Sequence, residues 1–241
     1  MPITGLPLIL ADLLVAYMIF IQPLAGYRSF RKFTQQIERN KKARSQFYLR
    51  GIALKWLLVF IIGVILATAS LAIRVIGLQA PSDVASIVLW FLYLGFLLLI
   101  STLIYRRIAR RPGGRALLQK LFLAPIQLLP VTKGERLLWI VASLTAGICE
   151  EILYRGFMLF YLIAVFPRLD VLNAIILSSI FFGIAHMYQG WKGILATGFV
   201  GLLLAWFYYM TGSLLLPIII HALIDLRAMF IFPQEKASTP V

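Results

Sequence analysis

The feature that most constrains this chain is a succession of long apolar runs separated by short polar segments. The runs occupy residues 6–25, 53–76, 85–105, 134–165, 171–188, 193–210 and 214–233. A helix that crosses a bilayer needs about 20 mostly apolar residues, and its backbone amides must be satisfied within the segment. The runs therefore predict an all-α, polytopic transmembrane helix bundle of about seven spans, or eight if the fourth run divides in two.

Composition agrees with this interpretation. Hydrophobic residues make up 61% of the 241 residues, charged residues only 13%, and the mean hydropathy is +0.93. Soluble domains average about 45–50% apolar and about 25% charged residues, so this chain has too little polar surface to stay in solution. No internal repeat divides it. We expect residues 1–241 to form a single integral membrane domain, multi-pass in the cell membrane, and the short loops favour a prokaryotic plasma membrane.

The excess of positive charge predicts the orientation of the bundle. Lys and Arg number 23 against nine Asp and Glu, a net charge of +14, and most of it lies between the apolar runs. Arg28 to Lys55 contains nine basic residues and the single acid Glu38, and Arg106 to Lys120 contains six basic residues and no acid. The positive-inside rule makes residues 26–54 and 106–133 cytoplasmic, with anionic lipids as partners and no nucleic acid.

Residues 116–130 differ from the spans. The stretch is too short to cross a membrane and is broken by Pro125. Its apolar residues predict an amphipathic helix lying in the membrane interface.

A cluster of ionisable residues, Glu150, Glu151 and Arg155, lies inside the fourth run. Such residues cost about 2.5–3.5 kcal/mol each on insertion scales and usually serve a function. Glu151 and Arg155 are one helical turn apart and can pair, whereas Glu150 points elsewhere. A carboxylate held by arginine is a poor proton acceptor, and one without a cation in a low dielectric is suited to general-base catalysis. We therefore assign the chemistry to Glu150 and supporting roles to Glu151 and Arg155.

Both histidines of the chain also lie in apolar runs. Phe182 and His186 share a helix face at the end of the fifth run. His221 and Asp225 lie one turn apart in the last run and can hydrogen-bond or act on a common ligand. A single histidine on an apolar face is more often a core residue than a catalytic one. Two in this setting indicate a function, because burying such groups is costly.

Other nucleophiles are disfavoured. Cys149 precedes the acidic pair, but burial beside carboxylates suppresses the thiolate, so we predict a packing role. Ser178 and Ser179 lie near His186 in sequence, but adjacent serines in membrane helices usually pack or bond to the backbone. The chain also lacks the HExxH, Gly-x-Gly-Asp and Gly-x-Ser-Gly motifs of other intramembrane proteases.

Taken in order, the clusters resemble the signature of the CPBP family of intramembrane proteases. The family includes the type II CAAX prenyl endopeptidases and bacterial proteins once called abortive-infection proteins. The resemblance covers about residues 130–230, and the first half of the chain matches only in being membrane-spanning. The motifs EExxxR, FxxxH and HxxxN/D correspond here to Glu150, Glu151 and Arg155, to Phe182 and His186, and to His221 and Asp225.

The resemblance implies a polar catalytic cavity inside the bilayer and hydrolysis of a peptide or membrane-protein substrate. Glu150 and His186 would activate a water, and His221 and Asp225 would lie near the oxyanion. Eukaryotic members have Asn where this chain has Asp225. An ionised Asp accepts hydrogen bonds and does not donate them, so we expect it to orient His221. Glu150, His186 and His221 could instead bind zinc, but we favour a metal-free mechanism without a certain cofactor.

Two non-enzymatic interpretations remain open from the sequence. A transporter or scaffold would use Glu151 with Arg155, and His221 with Asp225, as buried pairs. An immunity protein, as some family members are, would bind a peptide without cutting it. Intramembrane ionisable residues indicate a function without specifying which one.

Overall fold

The computed structural model describes residues 3–81, 83–114 and 126–231, and these ranges are helical and contain no strand. Of the seven long helices in these ranges, α1–α4 and α6 are long and apolar enough to cross a membrane, and α5 and α7 are shorter, with 15 and 17 residues. The predicted all-α polytopic bundle is thereby confirmed. The helices are α1 (Leu6–Gln36), α2 (Ala43–Thr68), α3 (Val84–Ala109), α4 (Lys133–Val165), α5 (Val171–Ala185), α6 (Gly190–Thr211) and α7 (Leu215–Ile231).

The helix boundaries differ from the predicted spans mainly at the basic ends. α1 continues to Gln36, well beyond its apolar run, and α2 begins at Ala43. Arg, Lys and Gln are good helix formers, so they extend each helix past the apolar segment. α2 ends at Thr68, earlier than predicted, and Ser70 follows with a φ of 54°. The interfacial helix predicted for residues 116–130 lies for the most part outside the described residues.

The fourth apolar run forms one continuous helix and does not divide into two spans. Its first part, Lys133–Glu151, continues through a π-helical turn at Ile152–Met158 to the helix end at Val165. π-helical turns are rare and often occur at functional sites. Here the turn directly follows Glu150 and Glu151.

Glycines allow α4 and its neighbours to approach closely. α4 packs against α2 and α7, and its π-helical turn contacts α5 and α6. A Cβ on Gly147 would lie 2.8 Å from the carbonyl oxygen of Ile218 and 2.9 Å from the Cβ of Ala222 on α7. A Cβ on Gly183 of α5 would lie 2.6 Å from the carbonyl oxygen of Ile194 on α6. Small residues permit such crossings in membrane bundles, and these crossings bring α5 and α7 to the acidic part of α4.

The start of α4 is fixed by the buried carboxylate of Glu135. The carboxylate accepts hydrogen bonds from Arg44 Nη1 of α2 at 3.1 Å and from the backbone N–H groups of Val131 and Thr132 at 2.7 and 3.0 Å. Thr132 completes a capping box by accepting from the backbone N–H of Glu135 at 3.2 Å. One acid therefore ties α2 to the helix that carries the candidate site.

Replacing Glu135 by alanine should destabilise the protein by about 1–3 kcal/mol, because three partly buried donor groups lose their acceptor. Thermal unfolding of the purified protein in detergent measures the effect. The matched control is Glu38→Ala, which removes an exposed acid and should leave the melting temperature unchanged. Equal melting temperatures for the two variants would show that the Glu135 network does not stabilise the bundle.

Candidate active site

Two neighbouring acids of α4 lie in different surroundings. Glu151 is fully buried, and Glu150 is 8% exposed. Glu151 Oε1 accepts hydrogen bonds from Arg155 Nη1 at 2.8 Å and from His221 Nδ1 at 2.6 Å. The predicted pairing of Glu151 with Arg155 is therefore present. The bond to His221, which joins α4 to α7, was not predicted.

Phe182 is the aromatic centre of the site. The Arg155 guanidinium lies 4.1 Å from the ring centroid, a cation–π contact. The rings of His186 and His221 are centred 4.7 and 5.9 Å from that of Phe182. Gly201 on α6 makes room for this stack, because a Cβ there would lie 3.0 Å from Phe182 Cδ1 and 3.1 Å from Arg155 Nη2. One ring thus contacts the guanidinium and both imidazoles, which gives the phenylalanine of the FxxxH motif a physical reason.

Both imidazoles present the same nitrogen atom to Glu150. His186 Nδ1 donates to the backbone carbonyl of Phe182 at 2.8 Å, and His221 Nδ1 donates to Glu151. His186 Nε2 lies 3.7 Å and His221 Nε2 lies 3.8 Å from Glu150 Oε2. These separations are too long for direct hydrogen bonds. Within the described part of the chain, Glu150 Oε2 is buried without a hydrogen-bond partner, and we call the space between it and the two Nε2 atoms the gap.

Glu150 has a cation beside it, contrary to the prediction. Lys55 Nζ on α2 lies 3.4 Å from Glu150 Oε1, the second oxygen of the carboxylate. In the sequence Lys55 ends a basic segment, but α2 begins at Ala43 and carries Lys55 inside the bundle. The ammonium compensates charge at one oxygen and leaves the other facing the imidazoles.

Asp225 lies at the edge of the site. Its Oδ2 atom is 3.9 Å from His221 Nε2, and its side chain is 37% exposed. Glu151 bonds the His221 imidazole at Nδ1 and Asp225 faces its Nε2 atom, so Glu151 makes the shorter contact with the ring. The sequence could not distinguish the two acids, since only the packing of α7 against α4 decides between them.

Glu150 Oε2 lies slightly farther from His186 and His221, the other two residues of the alternative zinc site, than a bound zinc would hold it. Among the residues that the structure describes, no group of three or more His, Cys, Asp or Glu side chains is placed to hold a metal ion. Ligands of a tetrahedral zinc lie about 3.3–3.4 Å apart for bonds of about 2.0–2.1 Å, compared with 3.7 and 3.8 Å here. The ammonium of Lys55 next to Glu150 also disfavours a divalent cation, because like charges repel.

The alternative nucleophiles are buried or bonded to the backbone. Cys149 is a buried free thiol. Ser178 Oγ donates to the carbonyl of Tyr154, and Ser179 Oγ donates to the carbonyl of Ile175, both at 2.7 Å. These contacts agree with the packing and backbone-bonding roles expected from the sequence.

The comparison with known protein families matches the part of the chain that carries Glu150, His186 and His221. Residues 132–227 match the family model described as Rce1-like, type II CAAX prenyl endopeptidase Rce1-like. We call residues 132–227, which are similar to this family, the Rce1-like region. The three motifs all fall within the Rce1-like region, which confirms the resemblance that they predicted, whereas Lys55 lies outside it. Neither the curated proteins nor the solved structures include a match to this chain.

Glu151→Gln and Arg155→Ala in the Rce1-like region should both lower the folded yield. Each change removes one partner of the buried pair of Glu151 and Arg155, a loss that costs about 3–5 kcal/mol. The monodisperse fraction on size-exclusion chromatography measures the effect.

Asp225→Asn is the matched control, because it removes a more exposed acid and leaves the Glu151 pair intact. The Glu151→Gln protein that does fold should also lose activity, because its His221 is no longer bonded to a carboxylate. Wild-type yield and activity in Glu151→Gln would contradict the anchoring role of this acid.

Proposed function

We propose that this chain is an intramembrane endopeptidase that hydrolyses a peptide bond with a water activated by Glu150. The observation that carries the proposal is the gap between Glu150 Oε2 and the two imidazole Nε2 atoms, at 3.7 and 3.8 Å. Buried polar atoms are nearly always hydrogen-bonded to protein or to water. A water in the gap would supply the partner that Glu150 Oε2 lacks among the described residues. The similarity of the Rce1-like region to a protease family supports the same reaction class.

The reaction needs only the peptide and this water. Glu150 Oε2 accepts a proton as the water oxygen attacks the carbonyl carbon of the scissile peptide. A tetrahedral oxyanion forms. Glu150 then delivers the proton to the leaving nitrogen while the C–N bond breaks, which gives a new carboxyl group and a new amine.

The two histidines have different roles in this mechanism. His186 donates through Nδ1 to the Phe182 carbonyl, so in the neutral ring Nε2 accepts the second hydrogen of the water. His221 is bonded to the Glu151 carboxylate, which favours a protonated ring whose Nε2–H donates to the oxyanion. Loss of one oxyanion donor typically costs about 10²–10³ in kcat. Asp225, as an ionised acid, adds negative charge at the edge of the site and donates no hydrogen bond.

We propose that the substrate is a peptide or membrane-protein segment that enters from the side of the basic helix ends. His186 lies at the short turn between α5 and α6, on the same side of the alternating bundle as the ends of α1 and α3 and the starts of α2 and α4. The basic residues there would bind anionic lipid headgroups. The family description names CAAX prenyl endopeptidases, so a farnesylated CAAX peptide and its unmodified counterpart are suitable probes.

Glu150→Gln and His186→Ala should each abolish cleavage at normal folded yield, a loss of at least about 10²-fold, since each removes a group that handles the water. The measurement compares the peptides in membranes of cells that produce the wild type or one of the variants. Glu38→Gln, an exposed acid far from α4 in sequence, should leave the cleavage products unchanged.

An unchanged peptide profile after replacement of Glu150, His186 and His221 together would contradict the enzyme. It would favour a protein that binds or transports a peptide by means of the same buried groups.

Cleavage should be insensitive to metal chelators, because the reaction proposed here uses the carboxylate and imidazoles directly. The purified protein is dialysed against EDTA, and cleavage of the two probe peptides is compared with that of an untreated sample. Activity that disappears on dialysis and returns with zinc, but not with magnesium, would overturn the metal-free mechanism.

A further inference from the structure

One cation from outside the Rce1-like region reaches the proposed catalytic acid. Lys55 Nζ lies 3.4 Å from Glu150 Oε1, and its side chain is 30% exposed. The family match begins at residue 132 and therefore says nothing about this lysine. Lysine inside a membrane-spanning helix is expensive, and such residues usually face the bundle interior and serve a function.

The local sequence of α2 directs this side chain toward α4. Gly51 lies one turn before Lys55, and a Cβ there would be 3.9 Å from Nζ, so the lysine folds back over the glycine. The next residue, Trp56, donates from Nε1 to Thr145 Oγ1 of α4 at 3.4 Å. This contact docks α2 against α4 close to Glu150.

The charges of the site favour a further cation in addition to Arg155 and the protonated His221 of the proposed mechanism. Three carboxylates, those of Glu150, Glu151 and Asp225, lie around the two imidazoles. Arg155 Nη1 is bonded to Glu151, and the guanidinium acts on Glu150 only through its longer-range charge. Lys55 contacts Glu150 and also interacts electrostatically with Asp225.

We propose that Lys55 is a positioning residue for Glu150. Lys55 is required for turnover and not for substrate binding. The inference rests on the proposed protease function. By holding Oε1, the ammonium prevents the carboxylate from rotating and presents Oε2 to the gap between His186 and His221. The carboxylate then meets the water in one orientation. Lys55 balances its charge at Oε1 and leaves Oε2 free to accept the proton.

The test measures kcat and KM of the full-length protein in vesicles of phosphatidylethanolamine and phosphatidylglycerol. The probe is an internally quenched peptide spanning a cleavage site found in cells. Lys55→Gln should lower kcat by about 10²-fold, as expected when a general base is misplaced, with KM within about twofold of the wild type. Lys55→Arg, which keeps the charge, should have a kcat at least about tenfold higher than that of Lys55→Gln. Arg50→Gln removes an exposed cation of the same helix and should have no effect.

The outcomes separate this proposal from the function on which it rests. If the wild type cleaves no peptide, the protease function itself fails. If the wild type cleaves, Glu150→Gln is inactive and Lys55→Gln retains full kcat, only the role of Lys55 is wrong. A Lys55→Gln protein that does not fold, or that loses activity through KM alone, also overturns the proposal, because Lys55 would then serve folding or binding.

Discussion

The buried carboxylate of Glu151 holds the site together, because it is shared between Arg155 on its own helix and His221 on α7. A charge without solvent in a membrane bundle is tolerated only when it is paired, and removing one partner of such a pair is strongly destabilising. The shared acid therefore fixes α7 against α4, and Gly147 gives the two helices the space for that approach. It also decides which nitrogen of His221 faces Glu150. The position of the proposed catalytic atoms thus follows from a structural ion pair.

Two adjacent glutamates consequently have different environments although they are the same residue type. Glu151 is fully buried and bonded to two cationic or potentially cationic groups, whereas Glu150 has one oxygen near Lys55 and the other in the gap between the imidazoles. The π-helical turn that begins at Ile152 follows immediately and carries Arg155. Environment, more than residue identity, gives paired carboxylates different roles in enzymes. The division of labour between Glu150 and Glu151 proposed here has that physical origin.

Much of the fold could be predicted from the sequence because membrane helices are encoded locally. Apolar runs of sufficient length predict the bundle, and one-turn spacing predicts the pairing of Glu151 with Arg155. The contact between Lys55 and Glu150 and the bond between Glu151 and His221 could not be predicted. Both join helices far apart in the chain and depend on how each helix is rotated, which the apolar pattern does not specify in lipid.

The same limitation explains where the structure differs from the sequence pattern. One-turn spacing pairs Asp225 with His221, but Glu151 on another helix bonds Nδ1 of the imidazole, and Asp225 lies 3.9 Å from Nε2. The helix ends were placed at the limits of the apolar runs, although basic residues with good helix propensity continue α1 to Gln36 and start α2 at Ala43. Lys55 was counted with the basic segment for this reason.

The central claim is that Glu150 and both imidazoles share one hydrated gap within the membrane bundle. A high-resolution experimental structure of the wild-type protein in lipid tests it most directly. The account predicts a single ordered water at about 2.7–3.0 Å from Glu150 Oε2 and from His186 Nε2, within hydrogen-bond range. Imidazoles turned away from Glu150, or a dry and closed gap filled by apolar side chains, would contradict it.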